Sequence, residues 1–240
     1  MSEHTVAAFD EELGELAVRV AQMGGLVEKA LTEAVLALVH ADEDRARRVI
    51  EADGRVDELE RDIEERAVRT IAKRQPMASD LREIMTAIKI ASDLERIGDL
   101  AKNIAKRSLA VHGQIGVRQA ARGIDRMSRM ALEQLRGVLD AYAQRDEETA
   151  LDVWRKDADL DAMYTSIFRE LLTYMMEDPR AISFATHLLF AAKNIERIGD
   201  HTTNVAEMIY YLVEGELLRD VRPKNDSSIS AIAGLAARDG

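Results

Sequence analysis

The sequence predicts an all-α fold made of two tandem, similar three-helix bundles. Apolar residues recur at intervals of three and four along most of the 240-residue chain, which is the period of a helix with one buried face. The chain has only 3 Pro and 13 Gly, so little interrupts long helices. The pattern of the first half also returns in the second at offsets of 101 to 104 residues. A repeat of that length indicates a duplicated domain rather than a solenoid of short repeats.

Three helices are predicted in the first half. The first covers 9–40, with a weak point at Gly24–Gly25 because glycine lowers helix propensity. The second begins after Asp42, a good N-cap residue, and ends before Pro76. The third covers about 80–112. Because the connections are short, an antiparallel bundle is the favoured arrangement.

The second half repeats this order after a weak linker at 116–123. Arg145-Asp146 stands where Ala41-Asp42 stands in the first copy, and Pro179 follows as Pro76 does. Accordingly, we expect a first bundle over 1–113, a second over 114–220 and a flexible C-terminal tail over 221–240.

Composition excludes several classes of protein. A net charge of −11 argues against bulk nucleic-acid binding, which needs a basic surface. With no cysteine there is no disulfide framework and no thiolate metal site, which fits a reducing compartment. The N-terminus lacks the pattern of a secretory signal, and no apolar run approaches the roughly 18 residues of a membrane span.

One short motif occurs twice, as Glu95-Arg96-Ile97-Gly98-Asp99 and as Glu196-Arg197-Ile198-Gly199-Asp200. In a helix, the two acids of each copy lie one turn apart on the same face. Such a like-charge pair costs a few tenths of a kcal/mol. That this cost recurs at matching places in both halves predicts a compensating cation.

The helical wheel predicts where the acids of this motif point. Glu95 and Asp99 lie opposite the apolar stripe that contains Leu94 and Ile97, so we expect them to face outward. A ferritin-like di-metal core needs inward carboxylates and a Glu-x-x-His pair. Here glycine stands three residues after each glutamate, so that kind of core is excluded. The repeated glycine itself suggests the close approach of another helix.

A second acidic ridge lies on the preceding helix of each half. Asp53 and Asp57 are repeated as Asp157 and Asp161. One and two turns further on, the first copy has acids and the second has aromatic residues, so the two sites should not be equivalent. The residues that differ are Glu60, Glu64, Tyr164 and Phe168.

Duplicated three-helix units with acid-x-x-x-Asp pairs on their second and third helices resemble the PhoU family of phosphate-uptake regulators. The resemblance implies two similar helical bundles that bind multinuclear metal clusters on their surface. It also implies a cytoplasmic, dimeric regulator that is not an enzyme and is at most peripheral to a membrane. In that family the protein restrains phosphate import and the phosphate-starvation response, together with a phosphate ABC transporter and a sensor histidine kinase.

Carried over residue by residue, the resemblance implies eight metal ligands, and no catalytic residue. They are Asp53, Asp57, Glu95, Asp99, Asp157, Asp161, Glu196 and Asp200. Asn103 and Asn204, one turn beyond each motif, are possible carbonyl ligands, and His201 could reach a nearby metal. Oxygen ligands suit Mg²⁺, Ca²⁺, Mn²⁺ or iron better than zinc.

Simpler explanations and other functions stay open from the sequence. Each acid pair could be an ordinary solvated helix face, and Arg96 or Arg197 could neutralise it without metal. The small basic run that ends in Lys73-Arg74 suits the C-terminal end of a helix. Besides a regulator, an oxygen-ligated phosphohydrolase with paired metals and a metal-free helical adaptor are alternatives.

Overall fold

The computed structural model describes the backbone of residues 2–111 and 117–220 and the side chains of 9–111 and 121–220. Within these ranges the chain forms helices and no strands, so the predicted all-α class is confirmed. The predicted flexible tail at 221–240 lies outside the described residues. The helices are α1 (Ser2–His40), α2 (Glu43–Ala52), α3 (Gly54–Arg74), α4 (Ala78–Ala110), α5 (Val117–Gln144), α6 (Glu147–Glu177) and α7 (Ile182–Glu214), with a 3₁₀ turn at Pro179–Ala181.

Helices α2 and α3 correspond to the single second helix that the sequence predicts. They are separated by one residue, Asp53, whose carbonyl accepts a hydrogen bond from Val56 N at 2.8 Å. This is an i to i+3 bond, which tightens the helix locally. Gly54, with its low helix propensity, follows at once. Counted as one interrupted helix, α2 and α3 complete the six long helices expected from the sequence.

The same N-cap starts the second long element in both halves. The Asp42 carboxylate accepts from Arg45 N at 2.9 Å, and the Asp146 carboxylate accepts from Thr149 N at 3.1 Å. The residue before each cap, Ala41 or Arg145, has a positive φ of 54° or 53°. The predicted correspondence between these two corners is therefore confirmed in backbone conformation as well as in residue type.

Two predicted weak points are helical in the structure. Helix α1 runs unbroken through Gly24–Gly25, and a Cβ on Gly24 would lie 2.6 Å from Leu139 Cδ2 of α5. Gly24 therefore serves the close approach of two helices rather than a break. The linker predicted at 116–123 lies mostly within α5, which begins at Val117. There Gly123 packs closely against Ile167 of α6.

The helices form two bundles that share one core. Helix α1 packs on α2, α3 and α4, and α5 packs on α6 and α7. Contacts between α1 and α5 and between α4 and α7 join the two halves, and the buried apolar side chains form a single cluster. None of the helices in the described ranges has an apolar stretch long enough to cross a membrane.

Candidate metal centre

Each repeated motif lies where two helices of one bundle approach closely. A Cβ on Gly98 of α4 would lie 3.3 Å from Val56 of α3. A Cβ on Gly199 of α7 would lie 2.4 Å from Leu160 Cδ2 and 3.2 Å from Asp157 Oδ1, both on α6. The predicted close approach at the glycines is therefore present in both halves, and it is tighter in the second. It brings the acids of the motif towards the acidic ridge of the neighbouring helix.

The prediction that the motif acids face outward is wrong for Glu196, and the acids of the neighbouring ridge in the second half are buried with it. Asp157, Asp161 and Glu196 are only 2%, 4% and 6% exposed. In the first half, Asp99 has a side chain that is 37% exposed, whereas Glu95 retains only 16%. A helical wheel locates acids relative to the apolar stripe of their own helix. It does not reveal that α3 and α6 pack along the flank of that stripe.

In the first half, a lysine lies between two of the predicted ligands. Lys102 Nζ donates a hydrogen bond to Asp99 Oδ1 at 2.7 Å, one turn away on α4, and a second to Asp53 Oδ2 at the junction of α2 and α3. Burial opposes the ammonium charge, but the bonds to Asp53 and Asp99 outweigh it and raise the pKa of Lys102. This lysine therefore supplies a positive charge at the point where α2, α3 and α4 meet.

Burial and neighbouring negative charge act together on two other acids of the first half. Burial raises the pKa of Glu95, and the nearby carboxylate of Asp99 raises it further. Burial and the carboxylate of Glu64 likewise raise the pKa of Glu60. Arg96, which from the sequence could neutralise the motif acids without metal, lies with Nε 3.4 Å from Glu95 Oε2. We call Asp53, Asp57, Glu95 and Asp99 the first cluster.

In the second half the compensating lysine has a different position. Lys193 Nζ donates to Glu196 Oε1 at 2.8 Å and lies 4.9 Å from the centre of the Tyr164 ring. The other carboxylate oxygen, Glu196 Oε2, is buried and has no hydrogen-bond partner in the structure. Burial raises the pKa of Glu196, and Asp200 and Asp161 raise it further against the opposing effect of Lys193.

A second unpaired oxygen belongs to Gln134 of α5, which is also buried. Its Nε2 donates to the carbonyl of Lys156 at 3.0 Å, whereas its Oε1 has no hydrogen-bond partner in the structure. Gln134 Oε1 and Asp157 Oδ1 lie 3.6 Å and 3.2 Å from the same point, the position that a Cβ on Gly199 would take. We call Asp157, Asp161, Glu196 and Asp200 the second cluster; Gln134 lies at its edge.

Two predicted accessory ligands point elsewhere. His201 Nδ1 lies 2.8 Å from Asp93 Oδ1, and Asn204 Nδ2 donates to the same oxygen at 3.1 Å. Because Asp93 is on α4, both side chains link the two halves instead of extending the second cluster. Asn103 is half-buried.

The acids of each cluster are neighbours, but their carboxylates do not converge on one point. Among the described residues, no three Asp, Glu or His side chains are close enough together to hold one metal ion. On binding, a cation would therefore have to draw the carboxylates of a cluster closer together. The donor chemistry suits a hard cation in both clusters. In the second, the unpaired Glu196 Oε2 is a buried acceptor that such a cation would satisfy.

Comparison with known proteins identifies the family. The sequence profile of the PhoU domain matches this chain twice, at residues 20–108 and 124–209. The chain belongs to the PhoU family. Each match contains one acidic cluster, so both clusters are parts of a PhoU domain.

Close relatives and solved PhoU structures agree with this assignment. The chain is 56% identical over 223 residues to the phosphate-specific transport system accessory protein PhoU homolog of Rhizobium meliloti (strain 1021), covering 93% of this chain and 94% of the relative. The crystal structure of PhoU from Pseudomonas aeruginosa matches with a TM-score of 0.84 at 41% identity, over 87% of this chain and all of that one. The crystal structure of the phosphate transport system regulatory protein PhoU from Streptococcus pneumoniae matches with a TM-score of 0.81 at 31% identity. The match covers 89% of this chain and 100% of that chain.

Sequence reasoning missed the residues that distinguish the two clusters of this chain. Lys102 lies three residues after Asp99, and Lys193 lies three residues before Glu196. Both are i,i+3 pairs, so the helix spacing rule could have found them. Gln134 carried no such signal, because its contact with the second cluster depends on the packing of α5 against α6 and α7.

Proposed function

We propose that this PhoU-family chain is a non-enzymatic regulator of phosphate uptake that binds divalent metal ions through its two acidic clusters. The observation that carries the metal assignment is the buried Glu196, whose Oε2 has no partner beside Asp161 and Asp200. A buried carboxylate oxygen without a hydrogen-bond partner is costly, and a bound cation would remove that cost.

The residues that would hold the metal are the eight acids predicted from the sequence. In the second cluster, Asp157 and Asp161 of α6 would share a cation with Glu196 and Asp200 of α7. In the first, Asp57 and Glu95 would act with Asp53 and Asp99, which Lys102 already contacts. All-oxygen ligation favours Mg²⁺, Mn²⁺ or iron, with zinc less suited. Such an ion would tie two helices of one bundle together.

The regulatory role rests on the functions of relatives. The Rhizobium meliloti relative is an accessory protein of the phosphate-specific transport system. We propose that this chain, as a cytoplasmic homodimer, likewise restrains a phosphate ABC transporter and a sensor histidine kinase. Burial of the second cluster supports a non-enzymatic role, because closely packed helices leave little room for a substrate beside the acids.

The metal assignment is tested with Mn²⁺, whose electron paramagnetic resonance signal distinguishes free from bound ions. The chelator-treated chain is titrated as wild type, as the double variant Asp161→Asn/Glu196→Gln, and as Glu214→Gln, an exposed acid on α7. We expect the double variant to lose Mn²⁺ from the second cluster, with the control unchanged. Equal binding by all three would remove this cluster from the proposal.

The regulatory role is tested in cells that lack the chain, by the uptake of radiolabelled phosphate in phosphate-rich medium. We expect phosphate uptake to be faster in cells without the chain. The wild-type chain should restore the normal rate, and Asp161→Asn/Glu196→Gln should not. Uptake that does not change on deletion would refute the regulatory role.

The phosphohydrolase alternative is tested by turnover of a phosphate ester by the Mn²⁺-loaded chain. We expect no turnover above that of free Mn²⁺. Turnover that Asp161→Asn/Glu196→Gln abolishes would make the chain an enzyme.

A further inference from the structure

The first cluster carries a positive charge of its own that the second cluster lacks at the matching position. Lys102 bridges Asp53 and Asp99. The repeat offset of 101 residues places Thr203 at the corresponding position of α7. Thr203 is buried, and its hydroxyl donates to the carbonyl of Gly199 at 2.9 Å, so it adds no charge. The two clusters therefore differ at the end where Asp53 and Asp157 lie.

We propose that Lys102 is the resident cation of the Asp53–Asp99 pair, and that a divalent ion reaches these two carboxylates only by displacing its ammonium group. This inference rests on the proposed metal-binding function. The ammonium group of Lys102 hydrogen-bonds one carboxylate of α4 and one at the junction of α2 and α3, and the lysine side chain is only 23% exposed. A divalent ion at the same oxygens would meet a positive charge a few ångströms away and be repelled.

The arrangement has a structural consequence for the metal-free protein. Since Lys102 holds Asp53 near α4, the first bundle keeps a cation at this junction when metal is scarce. In the second bundle Lys193 donates to Glu196 Oε1, and Glu196 Oε2 stays without a partner. Removal of metal should therefore destabilise the helix packing around the second cluster more than that around the first.

The test uses Lys102→Thr, which copies the second half, and Lys102→Met, which keeps an aliphatic side chain. The matched control is Lys106→Thr, an exposed lysine one turn further along α4. All are made in the Asp161→Asn/Glu196→Gln background, so that bound Mn²⁺ reports the first cluster. We expect both Lys102 variants to lower the Kd for Mn²⁺ by roughly tenfold or more, as removal of a neighbouring unit charge requires. The control should leave it unchanged.

A second readout follows thermal unfolding. In chelator, Lys102→Thr should lower the Tm relative to Lys106→Thr, and saturating Mn²⁺ should restore it. An unchanged Kd in both Lys102 variants would overturn the role of Lys102 while leaving metal binding by the wild-type second cluster intact. Absence of Mn²⁺ from both clusters of the wild type would overturn the proposed function itself.

A different observation supports a second inference: we infer that the side-chain carbonyl of Gln134 is a further oxygen ligand for a cation in the second cluster. Its Oε1 is buried without a hydrogen-bond partner and lines the same small space beside Gly199 as Asp157 Oδ1. The repeat offset of 104 residues places Ala30 at the equivalent position of α1, so the first cluster has no such group there. Side-chain carbonyls are ordinary ligands of hard cations.

Gln134→Met tests this inference, because methionine keeps the length of the side chain and removes the carbonyl. The control is Gln144→Met at the exposed end of α5. In an otherwise wild-type chain, we expect Gln134→Met to weaken Mn²⁺ binding to the second cluster by roughly tenfold. Relative to the wild type, Gln134→Met should lower the Tm less in chelator than in saturating Mn²⁺. A purely structural role predicts equal losses of Tm in both conditions and an unchanged Kd, and that result would overturn the inference.

Discussion

At the scale of single residues, Gly199 decides how closely α6 and α7 approach. A Cβ there would lie 2.4 Å from Leu160 Cδ2 and 3.2 Å from Asp157 Oδ1. Leu160 is fully buried, so its side chain has little room to move away. The glycine costs helix propensity, about 1 kcal/mol relative to alanine. The close packing of the second cluster compensates for this cost.

Gly199→Ala should therefore destabilise the chain despite its better helix propensity. We expect a loss of about 1–3 kcal/mol in the free energy of unfolding, the usual cost of overpacking a core. Gly25→Ala is the control, because no atom lies within 4 Å of a Cβ there. It should stabilise α1 by roughly 0.5–1 kcal/mol. Urea unfolding of both variants measures the difference; a Gly199→Ala variant as stable as Gly25→Ala would contradict the packing argument.

At the scale of helices, ion pairs join the start of α1 to the end of α3. Arg74 Nη2 donates to Glu12 Oε1 at 2.9 Å, and Lys73 Nζ donates to the same oxygen at 2.7 Å. Hydrogen bonds from Arg74 and then Lys73 lower the pKa of Glu12 to about 2. The basic run, assigned from the sequence to the helix end, thus binds α1 directly.

These ion pairs predict how stability depends on pH. Because the pKa of Glu12 is lowered on folding, its contribution is complete above the unfolded value of 4.5 and is lost as the pH falls towards 2. Glu12→Gln should cost about 1 kcal/mol at pH 7 and little near pH 2. Urea unfolding at several pH values provides the measurement. A cost that is the same at pH 7 and pH 2 would show that packing, not charge, joins α1 to α3.

The helices themselves were predictable, because their ends carry local signals. Asp42 caps α2 as predicted, and α3 ends at Arg74, just before Pro76. The burial of Glu196 was not predictable in the same way, since it depends on which helix packs beside Gly199. The hydrogen bond from Asn204 Nδ2 to Asp93 across the two halves was likewise not predictable from its own helix. Local sequence determines the helix, whereas its neighbours determine which acids are enclosed.

At the scale of the whole molecule, two homologous halves share one core. Helix α1 packs on α5 and α4 packs on α7, and the His201–Asp93 contact of 2.8 Å joins α7 to α4. The apolar cluster runs without a break through both halves. Neither half can therefore unfold without exposing apolar surface of the other.

The shared core predicts a single unfolding transition. The only tryptophan, Trp154, is buried in the second half, where its Nε1 donates to Glu207 Oε1 at 3.0 Å. Its fluorescence reports that half, whereas far-ultraviolet circular dichroism reports all helices. In chelator, we expect the two signals to give the same urea midpoint. A circular dichroism curve with two steps, of which only one coincides with the transition in Trp154 fluorescence, would show that the halves unfold separately.

Anomalous scattering from crystals grown with Mn²⁺ shows whether carboxylates from neighbouring helices of each bundle hold divalent cations. We expect a manganese peak among Asp157, Asp161, Glu196 and Asp200, with Glu196 Oε2 among its ligands. In the first half we expect a weaker peak, which strengthens in Lys102→Thr. Crystals at saturating Mn²⁺ with no peak at either cluster would show that neither cluster is a metal site.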